Sequence, residues 1–439
     1  MTKEEKYKLA RWAVQYALDN GAQQAKVSIY ESQNSSVDVR EEKIDKLEQS
    51  TQSGLSIHLF VDKKYSAHST NRLNNKEELK KFIEGAIAGT RFLAEDEYRS
   101  LPEPELYFGG ESKDLKTFDP DFLSIDPQDK IKAAFAVEKE VLGKDERIIS
   151  VTASYYDGMS NSVLVTSNGF EGDTARTYYG LNAAVSVDGG DARPESYWGE
   201  SAIFFQNLEK EGIGETALKR GLNKVGQEKI ESAIMPMIIE NRLARRCLGP
   251  LVSALNGSAI QQKNSFLINK LGEKIGSDML TIIDDPYIVS GRGSRMFDSE
   301  GLALKKRPII EKGILKSYYI DTYYGKKLGM EPTSGNTTNL VLTPGSRGLE
   351  EMISSVDRGI YVTGFNGGNT NGSTGDFSYG IEGFLVEKGK IVKPVSEMNI
   401  TGNMKDLFMN LVETGNDVYD RSSWRLPSLM FKDVGFSGK

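Results

Sequence analysis

The hydrophobic positions near the N-terminus repeat at three- and four-residue steps. This spacing predicts a helix over residues 3–20, which Gly21 can end. A second helix is predicted over 76–95, where Asn75 is suited to cap the first turn. Between the helices, alternating apolar and polar residues predict three strands of an antiparallel sheet, at 25–32, 35–47 and 54–61.

A helix followed by strands is predicted again after the proline-rich stretch 101–105. Asp126 and Pro127 are typical of a helix start, and this helix should reach about residue 142. Strands are then predicted at 147–156, 161–167, 174–187 and 194–205. The turns between them are expected at Asp157-Gly158, Asn168-Gly169 and Gly189-Gly190. A polar helix over roughly 207–230 closes this part of the chain.

The chain changes character from Met235 onward and becomes rich in glycine and in short strands. A strand is predicted at 235–239 and a helix at 241–256, in which Pro250 should produce a kink or an early end. Two further helices are predicted near 348–357 and 403–412. We therefore predict an α+β fold with several mostly antiparallel sheets and flanking helices. Its units are an N-terminal α+β unit at 1–100, a second α+β unit at 101–230 and a β-dominated C-terminal domain at 231–439.

Charge and cysteine content exclude several classes of protein. There are 55 basic and 62 acidic residues and no long basic run, so we expect no nucleic-acid partner. The single cysteine, Cys247, rules out an intrachain disulfide. The charged N-terminus lacks the apolar core of a signal peptide, and no run of about 18 apolar residues exists to span a bilayer. These features indicate a cytoplasmic chain without a membrane partner.

The chain has only two histidines and one cysteine, whereas a zinc peptidase site needs about three protein ligands. His58 and His68 flank a predicted hairpin turn at 62–64, and nothing in the sequence brings them to Cys247. We interpret both as ordinary sheet or surface histidines rather than zinc ligands. A serine peptidase is also disfavoured, because no Gly-x-Ser-x-Gly motif is present.

An acidic cluster and a glycine-rich loop are the remaining candidate sites. Asp284, Asp285, Asp298 and Glu300 can hold a hard cation or work as an acid–base pair. The structural explanation, which we favour, is that Asp284 and Asp285 cap turns. Asp298 and Glu300 would then brace a loop against Arg292, Arg295 or Arg307. The Gly- and Asn-rich segment 364–375 fits either a tight turn or the close approach of a peptide to a sheet edge. Four tyrosines can line a cleft but are more typical of packing, namely Tyr318, Tyr319, Tyr323 and Tyr324.

Several C-terminal phrases carry a resemblance to a known family. They include Asp284-Asp285-Pro286, the runs 293–301 and 364–369, and Gly375-Asp376-Phe377. Shorter matching phrases lie at 313–316, 326–330, 387–390 and 414–417. Together they resemble the TldD/TldE family, also called TldD/PmbA and once labelled modulators of DNA gyrase. The resemblance is dense from about 235 to 438 and weaker in the first 200 residues.

The resemblance implies a metallopeptidase built from two kinds of subunit. The TldD-like subunit carries a His-Glu-x-x-x-His helix and a later cysteine that complete a zinc site. The TldE/PmbA-like subunit lacks them, and this chain is similar to that kind. Leu248, Gly249 and Ser253 stand at the positions of the motif's first histidine, glutamate and second histidine, and the run 420–425 contains no cysteine.

The resemblance therefore predicts a subunit that lacks metal ligands and catalytic residues and is inactive alone. It implies a heterodimer with a TldD-like chain that holds the zinc, and no cofactor in this chain. The predicted substrate is a peptide, bound by Gly367, Gly368, Asn369, Asp298 and Glu300.

Three different functions stay open at this point. The chain can be a non-catalytic homodimer that binds peptides or acts as a scaffold. It can be an independent hydrolase that uses Asp284 and Asp298 with a divalent ion. Direct action on DNA or gyrase is the function that the acidic balance supports least.

Overall fold

Residues 1–439 are all described by the computed structural model, and their strands form three sheets. The first sheet consists of six strands: β1 (Gln24–Arg40), β2 (Lys43–Val61), β3 (Lys64–Thr70), β4 (Ile148–Thr166), β5 (Glu171–Val187) and β6 (Glu195–Ala202). They are antiparallel in the order β3-β2-β1-β4-β5-β6. Since β1 pairs with β4, the strands of the first two predicted units share one sheet. The boundaries 1–100 and 101–230 stay a prediction.

Four helices cover one face of this sheet: α1 (Lys3–Asp19), α2 (Lys76–Thr90), α3 (Pro127–Lys139) and α4 (Ile213–Leu222). Odd-numbered β1 residues such as Val27, Ile29 and Val37 point into the core beneath the helices. The predicted caps are confirmed, because the side chain of Asn75 accepts the Glu77 and Glu78 N–H groups and Asp126 accepts the Gln128 N–H. The last helix is shorter than the predicted 207–230.

The predicted breaks within the long strands are wrong. The break expected between 32 and 35 does not occur, since β1 continues to Arg40 and turns into β2 at Glu41 and Glu42, which have φ of +54° and +57°. Residues 43–53, most of which are polar, stay in β2 although all of them are exposed, because their backbone groups pair with β1. A polar stretch is therefore an unreliable sign of a turn here.

The predicted turn at Asp157-Gly158 is also wrong, and both residues lie inside β4. Asp157 is buried and accepts hydrogen bonds from Ser35 Oγ at 2.6 Å and Tyr155 OH at 2.8 Å. Gly158 lies opposite Tyr178, whose ring would be 2.6 Å from an added Cβ atom. The glycine thus leaves room for a cross-strand tyrosine. The turns at 168–169 and 189–190 are confirmed.

The C-terminal part contains the other two sheets. One has the order β10-β9-β8-β11-β17 and consists of β8 (Ile282–Asp284), β9 (Arg307–Glu311), β10 (Ile314–Leu315), β11 (Leu340–Leu342) and β17 (Trp424–Arg425). The other consists of β7 (Ala233–Ile239), β12 (Arg358–Phe365), β13 (Asn369–Thr370), β14 (Asp376–Glu387), β15 (Lys390–Asn403), β16 (Leu411–Thr414) and β18 (Leu429–Ser437). Since β12 pairs with both β7 and β14, the strands β12-β7-β18-β15-β14 close into a ring.

Five short helices complete this part: α5 (Ala244–Ser253), α6 (Gly257–Gln261), α7 (Thr322–Leu328), α8 (Leu349–Ser354) and α9 (Met404–Met409). The predicted helix 241–256 is thus confirmed as a shorter one, with Pro250 inside it and Gly257 opening the next. The fold prediction is confirmed as mixed α+β with mostly antiparallel sheets. In the whole chain, no helix is both long and apolar enough to cross a membrane.

The domains meet on the face of the six-stranded sheet that the helices leave open. Lys26 Nζ donates to the Ser299 carbonyl at 3.3 Å. Arg176 donates to the carbonyl oxygens of Arg292 and Ser294 at 3.3 and 3.2 Å. The segment 292–299 therefore connects the C-terminal domain to the sheet.

Alanine substitutions at two glycines, Gly313 and Gly329, test how tightly the C-terminal domain is packed. Gly313 has φ +76°, and an added Cβ would be 2.1 Å from the Gly276 carbonyl oxygen. Gly329 has a similar φ of +64° but nothing within 4 Å. We expect Gly329→Ala to cost about 1–2 kcal/mol for the backbone conformation alone. Gly313→Ala should cost roughly 2–5 kcal/mol because the clash adds to this cost. Denaturant unfolding of both variants measures the difference, and equal losses would contradict the packing described.

Candidate functional site

Helix α5 places one face in the core and the other on an open cleft. Cys247, Leu248 and Leu251 have no exposed surface and pack within the main core of the C-terminal domain. Gly249 and Ser253, on the other side of the helix, line a cleft of about 810 Å³. The amphipathic spacing of α5 therefore decides which of its residues can reach a ligand.

The cleft is bounded by α5, by the segment after α6 and by the loop between β12 and β13. Both polar and apolar residues line the cleft, and none of them is an aspartate or a glutamate. The remaining lining residues are Arg242, Leu243, Arg245, Arg246, Pro250, Ala254, Ala259, Asn264, Phe365, Gly367, Asn369, Thr370, Gly372 and Tyr379. A concave site of this size and mixed character suits a small ligand or a short peptide.

The glycine-rich loop forms a tight turn at the edge of the cleft. Arg246 Nη2 donates to the carbonyl oxygens of Gly367 at 3.1 Å and Gly368 at 2.7 Å. Gly368 has φ +89°, and an added Cβ would be 2.1 Å from the Ser378 carbonyl oxygen. Only glycine fits there without a shift of the backbone. The loop leads into β13, which has a single neighbouring strand, β14.

The structure brings only part of the predicted substrate set together. Gly367 and Asn369 line the cleft and Gly368 adjoins it, whereas Asp298 and Glu300 are absent from its walls. Asp298 Oδ1 accepts the N–H groups of Glu300 at 2.9 Å and Leu302 at 3.1 Å. The substrate-binding role of all five residues stays a prediction, and the two acids belong to a different part of the domain.

Glu300 is held by α7 rather than by an arginine. Its Oε2 accepts the N–H and the hydroxyl of Thr322, both at 2.9 Å. Neither Asp298 nor Glu300 forms an ion pair within 4.0 Å, so the prediction of partners among Arg292, Arg295 and Arg307 is wrong. Backbone N–H groups and a threonine brace this loop instead. Burial raises the pKa of both carboxyl groups.

The other two acids of the cluster also have structural partners. Asp284 Oδ1 accepts the Thr338 N–H at 2.8 Å and is bonded by the hydroxyl of the same threonine. Asp285 Oδ1 accepts the Tyr287 N–H at 3.0 Å, and its other oxygen is 2.8 Å from Lys306 Nζ. The predicted turn-capping role is confirmed for Asp285.

The four tyrosines are mainly packing residues. Tyr318 and Tyr319 are buried in the main core, and the Tyr318 hydroxyl donates to the Leu267 carbonyl at 2.6 Å. The Tyr323 hydroxyl donates to Asp96 at 2.8 Å, and the rings of Tyr323 and Tyr324 contact each other edge to face. None of the four lines the cleft beside α5.

The side chains present do not fit a catalytic zinc ion. His58 Nδ1 lies 2.6 Å from the Tyr65 hydroxyl and His68 Nε2 lies 2.9 Å from Ser66 Oγ, both in the β2–β3 hairpin. Burial lowers the pKa of His58 to about 4 and raises that of Cys247 to about 12. No three His, Cys, Asp or Glu side chains are grouped so that they could hold a metal ion.

The three positions of α5 that correspond to the family's metal-binding motif do not all face the cleft. Leu248 is fully buried, whereas Gly249 and Ser253 line the cleft. The same five-residue spacing shifted by one, Gly249 and Ala254, faces the cleft at both ends. In either register the side chains lack the nitrogen and thiolate donors that zinc prefers. The run 420–425 is structural, because Arg421 forms ion pairs with Glu200 and Glu209 and Trp424 belongs to β17.

Sequence reasoning missed the two arginines that precede Cys247. Arg245 and Arg246 both line the cleft, and Arg246 contacts a loop more than 120 positions further along the chain. The signal in the sequence was an Arg-Arg pair directly before an apolar helical face in an acidic protein. Its proximity to the glycine loop could be seen only in three dimensions.

The structure is an α+β protein of three sheets with an open cleft beside α5, and comparisons with known proteins give the family. Three domain models of the PmbA/TldA metallopeptidases match: domain 1 over 25–89, the central domain over 120–225 and the C-terminal domain over 232–438. The chain belongs to the PmbA/TldD metallopeptidase family.

Individual relatives agree with this family. Metalloprotease PmbA of Escherichia coli O157:H7 is 28% identical over 94% of this chain and 92% of its own length. A candidate modulator of DNA gyrase from Bacteroides thetaiotaomicron has a crystal structure with 52% identity and a TM-score of 0.98, and all of both chains is covered. TldE from Thermococcus kodakarensis shares the fold, with 21% identity and a TM-score of 0.85 over 98% of this chain and all of its own.

The buried thiol gives a direct test of how α5 is oriented. Because Cys247 is fully buried and its pKa is raised to about 12, we expect no reaction with a thiol reagent in the folded protein at about pH 7–9. In guanidinium chloride the same reagent should modify one thiol per chain, which serves as the control. Absorbance of the released thiolate follows the reaction. Rapid modification of the folded protein would mean that α5 turns this face to solvent.

Proposed function

We propose that this chain is the subunit without metal ligands in a two-chain, zinc-dependent peptidase. The observation that carries the proposal is the cleft beside α5. The family's scaffold is retained there, while Leu248, Gly249 and Ser253 stand where the resemblance places the metal-binding motif. A TldD-like partner would hold the zinc and activate the water, and this chain would contribute the interface and one wall of the substrate cleft.

The geometry of the cleft supports an extended peptide as the ligand. Strand β13 is a sheet edge with one neighbour, and Asn369 and Thr370 of that strand line the cleft. Peptides commonly bind by adding a strand to such an edge, where main-chain hydrogen bonds give affinity independent of sequence. Gly367 and Gly368 add no side chains of their own to the approach to this edge.

An independent hydrolase and a DNA-binding protein gain less support. One oxygen of Asp284 and one of Asp298 hold backbone N–H groups in place, and no third His, Cys, Asp or Glu side chain joins them to hold a metal ion, which favours a structural role over a hydrolase that uses these two acids. The net charge of −7 still offers nothing for direct binding to DNA. Heterodimer formation, the peptide substrate and the cytoplasmic location all remain predictions.

The proposal predicts that peptide cleavage depends on the partner. The purified chain alone should release no product from an unstructured peptide above the buffer blank. Addition of a TldD-like chain should give cleavage that stops with a chelator and returns with zinc. Chromatography of each peptide digest, with metal content measured on both proteins, checks this. Chelator-sensitive cleavage by the lone chain would refute the assignment, and failure of the two chains to associate would favour a homodimeric scaffold.

A matched pair of variants tests the role of the glycine turn in the complex. Gly367→Ala and Gly368→Ala both place alanine at positive φ, but only the second causes a clash, with the Ser378 carbonyl. We expect Gly368→Ala to lower kcat/KM about tenfold or more, since a shift of about 1 Å in a positioning loop can cost as much as 100-fold. Gly367→Ala should cost about threefold or less. Equal effects of the two variants would show that the turn does not position the substrate.

A further inference from the structure

Arg245 and Arg246 are exposed on the cleft and have no acidic partner. Both belong to the first turn of α5, and neither forms an ion pair within 4.0 Å. No aspartate or glutamate lines the cleft into which they project. Two full positive charges therefore face this site without a neutralising group.

Neutral groups hold both guanidinium groups in place. Arg246 donates to the Gly367 and Gly368 carbonyl oxygens and lies 4.8 Å from the centre of the Tyr379 ring. Arg245 lies 5.0 Å from the centre of the Trp424 ring. Carbonyl oxygens and aromatic faces orient a guanidinium without cancelling its charge. Unused N–H donors of both arginines stay available to a ligand.

The neighbouring cleft shows the opposite arrangement. It lies between β6 and the C-terminal domain, has a volume of about 730 Å³, and includes acidic residues among its walls. There Arg220 is 2.9 Å from Glu240, Lys224 is 2.5 Å from Glu382, and Arg242 pairs with Glu200. The cations of that cleft are satisfied within the chain. Unlike those cations, Arg245 and Arg246 have no acidic partner within the chain and are free to bind an anion from outside it.

The position of the pair on α5 strengthens this conclusion. The N-terminal end of a helix carries partial positive charge, so cations in the first turn are unfavourable for the helix itself. No side chain caps this end of α5. The first turn of α5 contains no acidic residue to offset the two arginines. An anionic ligand would interact favourably with both the arginines and the helix end.

We propose that Arg245 and Arg246 bind a carboxylate of the peptide, so that the cleft selects anionic peptides. This inference rests on the proposed function, because it names the class of peptide that the same cleft takes. The planar guanidinium matches a carboxylate in a two-point contact, which is why arginine is suited to this recognition. The carboxylate can be the C-terminal group of the peptide or the side chain of an aspartate or glutamate.

Calorimetric titration with three closely related peptides separates the two possible sources of the carboxylate. The first is an acetylated alanine- and leucine-containing pentapeptide with a free C-terminus, and the second is its C-terminal amide. The third is the amide with one internal glutamate. Of the two anionic peptides, we expect the one whose carboxylate reaches the arginines to bind about five- to tenfold more tightly than the neutral amide. This difference in affinity should shrink as the salt concentration is raised. A gain with the first peptide identifies the C-terminal carboxylate, and a gain with the third identifies a side chain.

Substitutions of Arg245 and Arg246 then test whether these two residues cause the tighter binding of anionic peptides. Arg245→Gln should reduce the advantage to about twofold or less, while Arg245→Lys retains part of it. Arg246→Gln should act similarly, although it also removes the contacts to the glycine turn. Arg193→Gln is the matched control, because Arg193 is exposed in the loop between β5 and β6, away from the cleft. This variant should bind all three peptides like the unaltered chain.

The outcomes separate this inference from the proposed function. The titrations use the lone chain and the chain co-purified with its partner. Equal binding of the acidic and neutral peptides, or an advantage that survives in Arg245→Gln and Arg246→Gln, overturns the role of the arginines and leaves the peptide cleft intact. Absence of binding by every peptide to both preparations overturns both. Tighter binding of a short single-stranded DNA than of any peptide would overturn the proposed ligand class.

Discussion

The burial of one face of α5 is the constraint on which the rest of the site depends. Cys247, Leu248 and Leu251 are locked into a core cluster of 43 buried residues, so the helix cannot rotate without exposing them. Fixing that face also fixes the residues on the other side of the helix. Arg246 and Gly249 therefore have to meet the cleft, and the chemistry of the cleft follows from what these positions carry.

The six-stranded sheet packs against the C-terminal domain that contains α5. Helices cover one face, and the other face is bonded through Lys26 and Arg176 to the segment 292–299. Asp298 lies in the same segment, and its Oδ1 accepts two backbone N–H groups. The acids that looked like a candidate cation site thus shape the loop at a domain contact. Burial raises the pKa of Asp298.

The sequence allowed the fold class and the capped helices to be predicted, because Asn75 and Asp126 act through contacts two or three residues away. It failed at 48–53 and 157–158, where polar residues and a glycine remain in strands because their partners lie on other strands. The composition of the cleft was harder to predict from the sequence. Gly367 and Gly368 could be singled out by composition, but their contact with Arg246 depends on how the ring of strands closes.

The way the arginines are held also decides what they can do. Charges on exposed groups are screened over about 8 Å at physiological ionic strength, and the chain as a whole carries a charge of −7. Screening therefore limits the attraction of the pair for anions that are still outside the cleft. Within the cleft no carboxylate competes, and each guanidinium is already oriented by neutral groups. Such an arrangement discriminates between ligands that have entered the cleft, which is selection by contact rather than by long-range attraction.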